Sequence, residues 1–362
     1  MRIISVANQK GGCGKTTVTV NLASALANLG ARVLVVDNDP QGHATIGMGL
    51  ADSDFTLSTR DLFLTSDIRV EDVRHEVKDN LDLVPTDVAL STVEQELSGE
   101  ERRVQRLVEA FAQSEMPYDV VFIDNPPNVG LLTFNALLAS SEILVPVDPG
   151  RFTLDAVERL RETLCLLEDE RGHHVRMHIL ANGFDLRTRF GRELLERLAM
   201  HYPGSLLDSQ IHRTVRLREA ADLGRPVDEH DKRCRAVLDF QALAEELWSL
   251  PADLELPDVE TWDTLLHGPQ SSPEGVVFRI EAPGAREVGI TGDFTDWSVE
   301  GIPLERNEDG SWSLELPLEP GGFEYKYIVD GVWKVDPENS ERVRNSYGQL
   351  NSVLTVPSVL QA

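Results

Sequence analysis

Residues 10–17 read Lys10-Gly11-Gly12-Cys13-Gly14-Lys15-Thr16-Thr17, between an apolar run, Ile3–Ala7, and an amphipathic one, Thr16–Leu29. Glycines at this spacing let successive backbone N–H groups turn inward around phosphate oxygens, and the N-terminus of the following helix adds a favourable dipole. Lys15 is placed to reach the terminal phosphates, and the Thr16 hydroxyl to ligate Mg²⁺. Strand, glycine loop and helix in that order point to an α/β protein whose phosphate site spans Gly11 to Thr17. A second lysine, Lys10, precedes the first two glycines, and a loop serving one subunit has no need of it.

Outward from this loop the chain keeps alternating. Val33–Val36, Val120–Ile123, Ile143–Val147 and His178–Ala181 are short apolar runs suited to strands buried on both faces. Amphipathic stretches separate them; in the first, Val18, Leu22, Leu26 and Leu29 share a face and Gly30 stands where a helix C-cap favours glycine. The expected architecture is a mostly parallel sheet with helices on both faces over residues 1–249. Pro251, Pro257, Pro269 and Pro273 then punctuate an acidic stretch, read as a linker over 250–272. Beyond it, Val276–Ile280, Glu287–Thr291, Ser311–Leu316 and Phe323–Val329 read as short strands, with hairpin signals at Asp309-Gly310 and Asp330-Gly331. A small all-β sandwich over 273–358 follows from that pattern.

The 362 residues carry 34 basic and 61 acidic side chains, a net charge of −27. Such a balance excludes a protein that coats nucleic acid with its whole surface. The segment from Arg171 to Ala220 is locally different, with nine arginines against five acids. Screening over about 8–10 Å lets this island act apart from distant acids. No apolar run approaches the roughly 20 residues of a membrane helix, and the N-terminal run is too short for a secretory signal. Three widely spaced cysteines, Cys13, Cys165 and Cys234, suit neither a disulfide framework nor a zinc site, so a cytoplasmic location is expected.

Lys10 with the glycine loop, Asp37-Asn38-Asp39-Pro40-Gln41-Gly42 after the second strand and Asp124-Asn125-Pro126-Pro127 after the third together resemble the deviant Walker family of ParA and MinD ATPases. Ile211-His212-Arg213-Thr214-Val215-Arg216-Leu217-Arg218-Glu219-Ala220 extends the resemblance, which covers about residues 1–248 and is nearer the short chromosomal, Soj-like type. It implies ATP and Mg²⁺ as cofactors and an ATP-sandwiched homodimer, in which Lys10 crosses to the other subunit's nucleotide. It further implies that Asp39 orients the attacking water and that Asp37 and Asp124 hold Mg²⁺ through water. Lys10, Lys15 and Asp39 are thus the catalytic candidates. Phosphoryl transfer needs positioning and charge neutralisation above all, so a lysine supplied in trans would tie hydrolysis to dimerisation. For Asp37, helix capping is the competing role. The chain departs from the family at Asn125, His43, His212, Asp148 and Gly150, all around the switch and dimer surroundings rather than in the phosphate loop.

ParA-like proteins bind DNA nonspecifically, whereas MinD-like ones use a C-terminal amphipathic membrane helix, for which this chain offers no segment. The DNA candidates are Arg187, Arg189, Arg213, Arg216 and Arg218, whose planar forks suit phosphate. Their competing role is pairing with acids such as Glu193, Glu196, Asp208 and Glu219.

In the last third, Gly292-Asp293-Phe294-Thr295-Asp296-Trp297, Tyr325-Lys326-Tyr327-Ile328-Val329-Asp330-Gly331-Val332-Trp333, Asp336-Pro337 and Leu350-Asn351-Ser352-Val353 form an ordered series. It resembles the family-48 carbohydrate-binding modules, including the glycogen-binding domain of the AMP-activated protein kinase β subunit. The resemblance implies that Trp297 and Trp333 stack on glucose rings while Lys326 and Asn351 hydrogen-bond hydroxyls. Trp312, in the alternating run Trp312-Leu314-Leu316, is expected in the core. The combined expectation is a nucleoid-associated positioning or partitioning ATPase with a glycogen-binding module and room for a stimulating protein partner. The alternative is a nucleotide-gated scaffold whose C-terminal module binds protein, without DNA partitioning. A sugar-processing enzyme is disfavoured, since no paired-carboxylate arrangement is evident.

Overall fold

Alternation within fully buried strands sets up two cores, one on each face of a sheet. In β1 (Arg2–Val6), Ile4 and Val6 join a core with Val18, Leu22 and Leu26, while Ile3 joins a second with Leu107, Phe111 and Ala136. The structure, a computed structural model, describes residues 1–251 except 52, 101 and 172, and residues 270–356 except 273–274, 283, 308–309, 319, 338, 340–341 and 346–349. The chain divides into two compact units, Met1–Leu256 and Pro257–Ala362. Pro257, Pro269 and Pro273 of the expected linker, Asp309 of one hairpin signal and the terminal Pro357–Ala362 lie outside the described residues.

The first unit adds β2 (Val33–Asp37), β3 (His75–Lys78), β4 (Leu81–Val84), β5 (Val120–Asp124), β6 (Glu142–Val147), β7 (Arg176–Asn182) and β8 (Leu206–Ile211). Their order is β3-β4-β2-β5-β1-β6-β7-β8, parallel throughout except for β3 against β4. The chain winds to one side of β1 and then to the other, so the loops after β1, β2, β5 and β6 share the carboxyl edge where such sheets hold ligands. Helix α1 (Lys15–Asn28) follows β1 and packs with helix Arg235–Ser249 over one face. It ends as its sequence implies. Gly30 has φ +93°, its N–H reaches Ala27 O at 3.0 Å and that of Ala31 reaches Leu26 O at 3.2 Å, a Schellman closure.

In the second unit, β9 (Gln270–Ser272), β10 (Gly275–Glu281), β13 (Glu305–Arg306) and β14 (Ser311–Leu316) make a four-stranded antiparallel sheet. The second sheet contains β11 (Val288–Gly292), β12 (Ile302–Pro303), β15 (Gly321–Val329), β16 (Val332–Lys334), β17 (Arg342–Arg344) and β18 (Leu350–Val356), with β16 paired to β15. Phe278 and Ile280 from the first sheet meet Ile290, Tyr325 and Tyr327 from the second in one core. Trp312 belongs to it, its indole N–H donating to Ala282 O at 3.0 Å. Asp330 and Gly331 turn β15 into β16 with φ of +48° and +82°, as a tight hairpin requires.

Candidate nucleotide, nucleic-acid and glucan sites

The phosphate loop is shaped by left-handed glycines and by two asparagines. Gly12 and Gly14 have φ of +77° and +94°, and Gly14 starts α1 as its N-cap. Asn182, at the end of β7, donates to Cys13 O at 2.7 Å and lies so near that a Cβ on Gly14 would sit 2.2 Å from its Nδ2. Asn8 accepts from Lys10 N at 2.9 Å and donates to Pro146 O at 2.8 Å, tying the loop's start to β6. Neither asparagine stands out in the sequence; the one available signal is an Asn-Gly pair, Asn182-Gly183, closing a strand at the ligand edge. Cys13 is buried in this loop and burial pushes its thiol pKa up, which leaves it a neutral spacer.

Register brings the acids together. Asp124 stands opposite both Asp37 on β2 and Val6 on β1, and both carboxylates are fully buried. Asp124 accepts from Thr16 Oγ1 at 2.7 Å and Thr19 Oγ1 at 2.9 Å. Asp37 accepts from the N–H and hydroxyl of Thr45, each at 2.7 Å, and so satisfies a first-turn N–H of helix His43–Gly47, although the N-cap itself is Gly42. Capping and ion holding are compatible here, because the Asp37 carboxylate still faces its neighbour. Burial raises the pKa of both acids, and the charge of Asp124 raises Asp37 further. Two buried carboxylates that repel one another beside a threonine hydroxyl form a donor set that fits Mg²⁺.

Asp39 is nearly buried, with Oδ1 accepting from Gln41 N at 3.1 Å. Asn38 Nδ2 donates to Asn125 Oδ1 at 3.0 Å, joining the ends of β2 and β5, and Asn38 Oδ1 is buried without a partner among the described residues. Lys10 folds back within its own chain. Its Nζ lies 2.5 Å from Asp148 Oδ1, above Gly150, where a Cβ would approach it to 2.7 Å. Asp148 and Gly150, two of the departures noted in the sequence, therefore make a seat for the lysine.

The five candidate arginines sit on the loops and helices after β7 and β8, which hydrogen bonding from Gly183 N to Ile211 O at 2.7 Å draws together. Three are paired: Arg187 with Asp185 at 2.8 Å, Arg189 with Glu193 at 2.5 Å, and Arg216 with Glu219 at 2.7 Å and Asp231 at 3.3 Å. Arg213 and Arg218 are exposed and have no carboxylate within 4 Å among the described residues. No helix among those residues is long and apolar enough to cross a membrane.

In the second unit the indoles of Trp297 and Trp333 lie nearly parallel, 14° apart, with ring centroids separated by 6.2 Å. Asp296 and Trp297 hold left-handed backbone, φ +48° and +56°, and the Trp297 indole N–H donates to Asp293 Oδ1 at 2.9 Å. Asn351 and Lys326 are both buried, and burial lowers the lysine pKa. Asn351 donates to Glu324 Oε2 at 2.8 Å. Glu324 and Asp293, to which the sequence analysis assigns no role, are thus bonded to Asn351 and Trp297.

Fold and loop define a P-loop nucleotide-binding protein with an appended β-sandwich. Residues 1–177 match a family model described as an AAA domain, and residues 275–361 one described as the glycogen recognition site of AMP-activated protein kinase. Sporulation initiation inhibitor protein Soj of Bacillus subtilis is 35% identical over 247 residues, 68% of this chain and 98% of that protein. Chromosome partitioning protein ParA of Myxococcus xanthus is 33% identical over 248 residues, 68% of this chain and 87% of its own. Cobyrinic acid a,c-diamide synthase from Mycobacterium smegmatis, solved with bound ATP analog and magnesium, superposes with TM-score 0.61 at 27% identity, covering 68% and 94% of the two chains. The chain belongs to the ParA/Soj family of P-loop ATPases.

Proposed function

We propose that this protein is an ATP-driven positioning factor that dimerises around ATP, binds DNA without sequence preference and carries an α-glucan-binding module to a cargo. The observation that carries the reading is the juxtaposition of Asp37 and Asp124 beneath a left-handed glycine loop, with Thr16 bonded to Asp124. Gly11 to Thr17 would cradle the phosphates, and Thr16, Asp37 and Asp124 would hold Mg²⁺ directly or through water. The ion supplies charge neutralisation on the phosphates. Lys15, which opens α1, would reach the terminal phosphates, and Asp39 Oδ2, which no donor meets among the described residues, would orient a water. Lys10 leaves Asp148 for the other subunit's nucleotide. Family membership supports a cytoplasmic, nucleoid-bound dimer, and the stacked indoles support a glucan ligand.

A second reading, a nucleotide-gated scaffold without DNA partitioning, is favoured by the pairing of Arg187, Arg189 and Arg216 with acids. Absence of DNA binding even at low salt would select it. Sedimentation and turnover with ATP and Mg²⁺ test the first. The wild type should dimerise and hydrolyse, while Lys10→Ala should bind ATP with unchanged affinity and lose hydrolysis. Unchanged turnover in the variant would remove the trans role.

A further inference from the structure

We propose that Glu324 makes the glucan-binding face selective for neutral α-glucan over phosphorylated glucan, an inference that rests on the glucan-binding reading of the second unit. Residues directly opposed in an antiparallel pair share a face, and alternate residues of a strand point to opposite faces. Tyr325 and Tyr327 of β15 enter the core, so Glu324 and Lys326 face outward. Glu324 opposes Val353, two residues from Asn351, so Asn351 lies on the same face, and Ile328, next in that alternation, opposes Trp333. The carboxylate and the indole platform thus occupy one surface.

Glu324 is wired into that surface. Its Oε2 accepts from Asn351, while among the described residues no donor meets Oε1. Its own N–H donates to Asp293 Oδ2 at 2.7 Å, and Asp293 Oδ1 holds the Trp297 indole. A carboxylate with an open oxygen is a strong acceptor for sugar hydroxyls, which are donors. A phosphate monoester brings about −1.5 to −2 charges and no such donor at pH 7. On this face it would meet the carboxylates of Glu324 and Asp293, against the ammonium of Lys326, whose side chain is buried. Residues 251–362, with 7 basic and 21 acidic side chains, add repulsion from a distance. Discrimination here comes from what the site repels as much as from what it binds.

Affinity electrophoresis of the full chain tests this, in gels containing glycogen, phosphorylated amylopectin, or the same amylopectin after phosphatase treatment. The wild type should bind the dephosphorylated polymer about fivefold to tenfold more tightly than the phosphorylated one, and the gap should narrow at high salt. Glu324→Gln, which keeps an acceptor for Asn351 but gives up the charged acceptor for sugar hydroxyls, should weaken binding to glycogen and shrink that ratio to about twofold. Equal wild-type affinity for the two amylopectins, a ratio that persists in Glu324→Gln, or loss of all binding in that variant would each overturn the selectivity role. A wild type that ignores all three polymers would instead overturn the glucan reading. The wild-type comparison at two salt concentrations stands whether or not the variant folds.

Discussion

Lys10 is a single side chain whose pairing would change on the proposed dimerisation. Its position before the glycines marked it in the sequence, but its partner, Asp148, is 138 residues away and could not be read from the motif. Both side chains are about one-third exposed. An ion pair at that exposure is worth about 0.2–1 kcal/mol, and forming a dimer would break two of them. Asp148→Asn should therefore tighten ATP-dependent dimerisation by roughly two- to thirtyfold, measured by analytical ultracentrifugation. Unchanged or weaker dimerisation would mean that the cis pair does not compete with the trans contact. The acids Asp37, Asp39 and Asp124 were legible because Asp37 and Asp124 end strands and Asp39 lies two residues beyond one. Asn8 and Asn182 were not, since their value lies in backbone bonds to segments far along the chain.

At the scale of elements, the buried strands β1, β2, β5, β6 and β7 were legible because continuous apolar runs have few other uses. The edge strands were not. In β8, Leu206-Leu207-Asp208-Ser209-Gln210-Ile211, half the residues are polar because the outer edge of the sheet does not demand burial. β3 was missed because three of its four residues are polar, and β4, although buried, because Asp82 interrupts its apolar run. Pairing between elements also hides ionic cores. Glu142, opening β6, binds Arg2 of β1 at 2.6 Å and His178 of β7 at 2.7 Å, and Arg2 further donates to Leu247 O. Burial pushes the Glu142 carboxyl up, but the bonds from His178 and Arg2 outweigh it and hold the pKa at about 2, against 4.5 for an ordinary glutamate. A depressed folded-state pKa gives stability that is present above pH 4.5 and lost as pH falls toward 2, on the order of 3 kcal/mol in all. Glu142→Gln should lose about that much at pH 7 and show a flatter acid limb, followed by the far-UV helical signal, which the first unit supplies. An unchanged pH profile would deny the triad its role.

Across the whole molecule, charge decides what each unit can touch. A net charge of −27 would oppose DNA everywhere except over the basic island after β7 and β8. Because Arg213 and Arg218 have no carboxylate partner among the described residues while Arg187 and Arg189 sit in local ion pairs, their contributions should differ. Changing Arg213 and Arg218 to alanine should lower the log–log salt slope of DNA binding by roughly 2, and changing Arg187 and Arg189 by less. Equal effects would show that the local pairs open freely on phosphate. Which arginines are paired was beyond sequence reading, although the competition itself was visible in the interleaved acids. Dimerisation would also present two glucan modules, raising their effective concentration on a polymer without any new contact. In the proposed function one molecule joins DNA to glucan under nucleotide control. The direct measurement is co-sedimentation of DNA with pelleted glycogen. DNA should appear in the pellet with the protein, ATP and Mg²⁺, and should vanish with ADP or with Trp333→Ala, which would still bind DNA. DNA pelleting that ignores the nucleotide, or none at all with ATP, would rule out a nucleotide-controlled link between DNA and glucan.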